Sequence, residues 1–305
     1  MILVLSTGRS GTKSFADYLD RSPRLHAVHE AEPLLIDEVI DTLRGDRPPG
    51  ALAEQLRTSR APVVGGREYA ESNHILSYAI PSLEAAFPGI RYLWLIRDGR
   101  DVVASLDVRG VLHDQPRADV RGGWLMERFR LDWFDDAPAL AWDTLPPFEK
   151  ACWYWEWTNA VIEDSLASID EARWLQLRLE HIGTERHQLA RRFELPTLSE
   201  HRPPIINQSR QKLTRWQGWS PPQIETFTRV CGDRMDRVYP GWRNPDGSWR
   251  PVWTPPLHTR IQLRAQALAR EVVYGDGLPS RALLRLGRRF PTTLKLRARA
   301  VLGLR

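Results

Sequence analysis

The stretch Leu3-Val4-Leu5-Ser6-Thr7-Gly8-Arg9-Ser10-Gly11-Thr12-Lys13-Ser14-Phe15 sets a short apolar strand against a glycine-containing turn whose small polar residues lead into a helix. Gly8 and Gly11 allow the backbone to bend and to approach a ligand closely. The N–H groups of the first helical turn and the positive end of the helix dipole then face one anionic group. Such a cradle suits a phosphate or a sulfate. It is not a Walker loop, which has four residues between its glycines and a Gly immediately before the Lys. Here Arg9-Ser10 alone separates Gly8 from Gly11, and Thr12 precedes Lys13. The later apolar run Tyr92-Leu93-Trp94-Leu95-Ile96 ends in Arg97-Asp98, not in the lone acid that holds Mg²⁺ beside a triphosphate.

That second strand continues as Arg97-Asp98-Gly99-Arg100-Asp101-Val102-Val103-Ala104-Ser105-Leu106. An Arg at the strand end and a Ser about two helical turns later converge on a second phosphate. Two separated anion sites suggest a bisphosphorylated nucleotide. At this point the two segments resemble those of the sulfotransferases that use 3′-phosphoadenosine 5′-phosphosulfate (PAPS). The resemblance implies that the first loop holds the 5′-phosphosulfate and that Arg97 and Ser105 hold the 3′-phosphate. Weaker likenesses follow in the family's order up to about Trp242: Phe148 to Leu166 with Trp153, Trp155 and Asn159, Trp174 to Ile182, Asn207 to Trp216, and Ser220 to Tyr239.

Sulfuryl transfer needs a cation where charge builds on the leaving group and a base for the acceptor hydroxyl, and it can proceed without metal. Arg9 stands where cytosolic family members carry a Lys and many carbohydrate sulfotransferases an Arg. The resemblance therefore implies that Arg9 binds the bridging oxygen and the sulfuryl group, with a permanent charge that gives up no proton. Gly8 and Ser10, Gly11, Thr12, Lys13 and Ser14 are expected around the 5′-phosphate. Lys212, Arg215 and Trp216 fall in the family's closing loop, which supplies further 3′-phosphate and adenine contacts. For the base, Glu71 lies where glycan sulfotransferases place a Glu, and Glu32 where some bacterial members place one. His74 and His29 are further candidates, because an unperturbed imidazole titrates near neutrality. Arg100 and Asp101 read as a solvent-facing or structural ion pair. The chain departs from the family pattern at Ser14 and Leu179, where aromatic residues often contact adenine.

The 305 residues alternate strand and helix, which predicts an α/β fold: a P-loop-type parallel sheet flanked by helices, with a helical basic C-terminal extension. Residues 1–257 read as the catalytic domain and 258–305 as an amphipathic tail with eleven Lys and Arg against two acids. Packing on the catalytic domain, a homodimer contact and binding to an anionic membrane surface all suit that tail. The absence of interleaved aromatics argues against nucleic acid. No signal peptide and no run of about 18 apolar residues is evident, so a cytoplasmic, at most membrane-peripheral, protein is expected. Cys152 and Cys231 read as buried free thiols, and no zinc-type spacing exists.

Residues 107–147 show no clear period and mix Trp with Asp, as a lid over a sugar, glycolipid or other small-molecule acceptor does. The acids there argue against polyanionic acceptors. Two other classes of function remain on this reading: a P-loop kinase using Mg-ATP, and a non-catalytic nucleotide-binding or scaffold protein.

Overall fold

The two apolar runs become neighbouring central strands. The structure is a computed structural model and describes residues 1–112, 130–134, 141–201, 216–244 and 246–250. Along these lie β1 (Ile2–Leu5), α1 (Thr12–Leu19), β2 (Leu25–His29), α2 (Ile36–Leu43), α3 (Pro49–Ser59), β3 (Val63–Val64), β4 (Arg67–Ser72), α4 (Ile80–Ala86), β5 (Arg91–Ile96) and α5 (Gly99–Arg109). Then follow α6 (Pro147–Ala167), β6 (Trp174–Arg178), α7 (Ile182–Arg192), α8 (Thr197–Glu200) and α9 (Pro221–Val238). The strand order is β2-β4-β1-β5-β6, all parallel, with the short β3 antiparallel on β4.

Because strand side chains alternate between faces, β1 and β5 feed two separate apolar cores. Ile2, Val4, Leu93 and Leu95 pack with Phe15, Tyr18 and Leu19 of α1 and with Leu189 of α7. Leu3, Leu5, Trp94 and Ile96 pack on the other face with Val102, Val103 and Leu106 of α5 and Trp155 of α6. The helix after β1 thus leaves to one face and the helix after β5 to the opposite one. Between the carboxyl ends of these adjacent strands lies the crevice where open parallel sheets bind ligands.

Local rules set the boundaries. Helix α5 runs from Gly99 to Arg109, because Asp98 caps it by accepting the Arg100 N–H and Gly110 closes it at φ 64°. Between β4 and β5 the chain forms a 3₁₀ turn, Ile75–Tyr78, and then α4, where Pro81 occupies the first turn. Cys152 and Cys231 are free and buried. Lys212, Arg215, the tail 258–305 and most of the lid stretch lie outside the described residues. Among the described residues no helix is long and apolar enough to cross a membrane.

Candidate functional site

Each parallel strand delivers a charged or titratable side chain just beyond its carboxyl end. In sheet order these are Glu30 after β2, His74 after β4, Arg9 after β1, Arg97 after β5 and Glu180 after β6. The loop after β1 is held from within. Tyr154 of α6 accepts the Gly8 N–H at 2.9 Å, and the Thr7 and Ser10 hydroxyls share a 2.6 Å hydrogen bond. Gly8 therefore has no N–H left for an anion. The N–H groups of Ser10, Gly11, Thr12 and Lys13 have no partner among the described residues and lie at the start of α1. Gly11 takes φ 77°, where glycine is favoured, and Leu179 packs within 3.0 Å of where its Cβ would stand. The Lys13 side chain points to solvent beside Asp17, 3.7 Å away. Ser14 is buried on the inner side of α1.

Arg9 also has positive φ, 69°, which is uncommon for a residue with a Cβ. This backbone turns its side chain across the crevice, where Nε donates to Ser105 Oγ at 3.2 Å. Arg97 reaches back from β5 and donates to the Arg9 carbonyl at 2.7 Å. It also pairs with Asp101 at 3.3 Å and lies 4.0 Å from Glu180. Burial, with the charges of Arg109 and Arg97, lowers the Arg9 pKa to about 10. Cations crowded in this way call for an anion between them. Arg97 and Ser105 thus both meet Arg9, one at its carbonyl and the other at its side chain.

Glu30, which the sequence reading passed over in favour of Glu32, lies on the other side of Arg9. Its backbone too has positive φ, 50°. His74 Nδ1 donates to its carboxylate at 2.9 Å, and His29 Nε2 lies 3.7 Å away. Burial works to raise the Glu30 pKa. The His74 hydrogen bond and the charges of His74, His29 and Arg9 outweigh it and hold the carboxyl below its ordinary value. The second imidazole nitrogen of His74 is buried without a hydrogen-bond partner among the described residues. His29 uses its own Nδ1 on the Ser72 carbonyl at 3.0 Å.

The other expected residues fall elsewhere. Glu71 is fully buried on β4 and accepts from Arg60 Nε at 2.7 Å, Tyr69 at 2.9 Å, Asn73 at 2.9 Å and the Ala31 N–H at 3.2 Å. No lone pair of that carboxylate is left for a substrate. Glu32 is exposed. Arg100 does not pair with Asp101. It is wholly buried, pairs with Asp98 at 2.7 Å, and lies under the indoles of Trp216 at 4.3 Å and Trp242 at 5.3 Å. A guanidinium tied to the preceding acid in an aromatic cage is shielded from water and needs no surface partner. Trp216 is thereby committed to this cage, so its face is not open to an adenine. Asp98, the acid nearest the end of β5, is likewise engaged by Arg100, which argues against a metal-triphosphate role. Among the described residues no three His, Cys, Asp or Glu side chains gather as a metal site.

Glu180 closes the row. It accepts the Asp98 N–H at 3.1 Å and the Tyr239 hydroxyl at 2.7 Å. Burial and the neighbouring Asp98 push its pKa up to about 7, against the pull of Arg97.

No family model matches the chain, and no curated protein matches it in sequence. Solved structures with a similar fold are sulfotransferases. One from Alicyclobacillus acidocaldarius is 15% identical with a TM-score of 0.45, covering 78% of this chain and 93% of its own. The sulfotransferase domain of the curacin biosynthetic pathway is 12% identical with a TM-score of 0.42, covering 85% and 81%. A mouse sulfotransferase complexed with PAP, adenosine 3′,5′-bisphosphate, is 12% identical with a TM-score of 0.38, covering 78% and 85%.

Proposed function

We propose that this chain transfers the sulfuryl group of PAPS to a hydroxyl of a sugar, glycolipid or other small-molecule acceptor. The observation that carries the reading is the convergence of Arg9, Arg97 and Ser105 at the crevice between β1 and β5, beside the N–H groups of Ser10 to Lys13, which have no partner among the described residues. Two phosphate-type ends of one nucleotide match this set: the N–H groups and Arg9 for the phosphosulfate, Arg97 and Ser105 for the 3′-phosphate. Leu179, against the loop at Gly11, supplies an apolar surface beside them in place of an aromatic ring.

In this reading Arg9 stabilises the charge that builds on the oxygen leaving the sulfur, and its neighbours keep it oriented. Glu30 takes the proton of the acceptor hydroxyl. His74 holds that carboxylate through Nδ1 and keeps it ionised at neutral pH. Glu71, saturated by Arg60, Tyr69 and Asn73, instead fixes β4 and the loop bearing Glu30. The protein is proposed to work in the cytoplasm.

Thermal unfolding tests the donor assignment. PAP, without metal, is expected to raise Tm more than adenosine 5′-phosphate does, and Arg97→Ala to erase that difference, a loss of roughly 2 kcal/mol typical of a charge-assisted contact. A larger response to Mg-ATP than to PAP favours the kinase alternative and sinks this one.

A further inference from the structure

Arg109 ends α5 four residues beyond Ser105, so both side chains leave the same helix face, with Arg109 about 6 Å further along the axis. It stands on the far side of Ser105 from Arg97. Its charge acts on Arg9 more strongly than that of Arg97 does. The three arginines differ in what compensates them. Arg97 has Asp101 at 3.3 Å and Glu180 at 4.0 Å. Arg9 has the Ser105 hydroxyl and the Glu30 charge. Arg109 has no hydrogen bond or ion pair among the described residues, and its Nε is buried without a partner. An unpaired cation beside another cation is unfavourable until an anion joins them.

Resting on the donor reading above, we infer that Arg109 holds an anionic oxygen group, a carboxylate, sulfate or phosphate, of the acceptor. In that reading the donor's two anionic ends are met by Arg9 with the loop N–H groups and by Arg97 with Ser105, which leaves Arg109 for a separate charge. Among the described residues, two acids of the lid stretch are held by a cation of their own. Arg130 binds both Asp132 and Asp143 at 2.7 Å and offsets one of their two charges. Arg109 thus selects for an acidic sugar, an already sulfated or phosphorylated glycan, or an aromatic acid over the neutral parent alcohol.

The test fills the donor site with PAPS and then titrates inorganic phosphate, with chloride at equal ionic strength as control. Wild type is expected to show a saturable rise in Tm of about 2 °C on phosphate addition. Arg109→Gln is expected to lose that rise while its PAPS affinity stays within about twofold, and Arg109→Lys to keep most of it. A wild type without a saturable response, or an Arg109→Gln variant that responds like wild type, overturns the inference. A tenfold loss of PAPS affinity in Arg109→Gln overturns it too, by giving Arg109 to the donor. Failure of wild type to bind PAPS at all removes the donor reading itself, an outcome distinct from the others.

Discussion

Arg9→Ala is expected to lower the rate of labelled-sulfate transfer from PAPS by about 10²–10³-fold, the usual cost of removing one preorganised group that stabilises transition-state charge. Affinity for PAP should fall by no more than about tenfold, because the product lacks the sulfuryl group and keeps the loop N–H groups, Arg97 and Ser105. This division between rate and affinity separates a catalytic Arg9 from a merely binding one. Arg9→Lys should recover only part of the rate. The Arg9 Nε bond to Ser105 orients a planar fork whose geometry an ammonium does not copy. Unchanged transfer in Arg9→Ala, with PAP binding intact, removes Arg9 from the chemistry.

Glu30→Gln is expected to lower transfer by about 10²–10⁴-fold with little change in Tm, since the amide keeps the shape and can still meet His74 while losing the basic oxygen. His74→Asn should cost less, because it disturbs the position of the carboxylate without removing it. Steady-state rates on the two variants check this order, and a greater loss in His74→Asn exchanges the two roles. Glu71→Gln gives the contrast. Breaking its buried pair with Arg60, both side chains being almost wholly inaccessible, leaves an uncompensated guanidinium and should cost about 3–5 kcal/mol of stability. Denaturant titration reads that loss directly, apart from any rate.

The two strands that define the crevice were legible because each is a contiguous apolar run ending at a polar turn, the pattern of a strand buried on both faces. Strand β4 was harder. Its sequence, Arg-Glu-Tyr-Ala-Glu-Ser, is charged, and it is stabilised by partners outside itself: Glu68 meets the amino terminus and Arg91, and Glu71 meets Arg60. The resemblance put Glu71 forward as the base, and nothing near it in sequence announces that the end of α3 reaches across to neutralise it. The same difficulty hid Glu30. Three acidic or imidazole side chains stand together in His29-Glu30-Ala31-Glu32, and only the left-handed backbone at Glu30 decides which of them turns toward His74 and Arg9. Arg109 carried no motif at all. Its signal was its spacing from Ser105, visible once the helix was known to continue past Leu106.

The loops bearing Arg9 and Arg97 each run into a helix rooted in a different one of the two apolar cores, on opposite sides of the sheet. A molecule gripped by both arginines therefore acts as a rivet at the sheet's rim, reinforcing the Arg97–Arg9 and Arg9–Ser105 bonds that already join the two flanks. Its arrival is felt by α1 and α5 together, so one occupied crevice stiffens both flanks of the molecule at once.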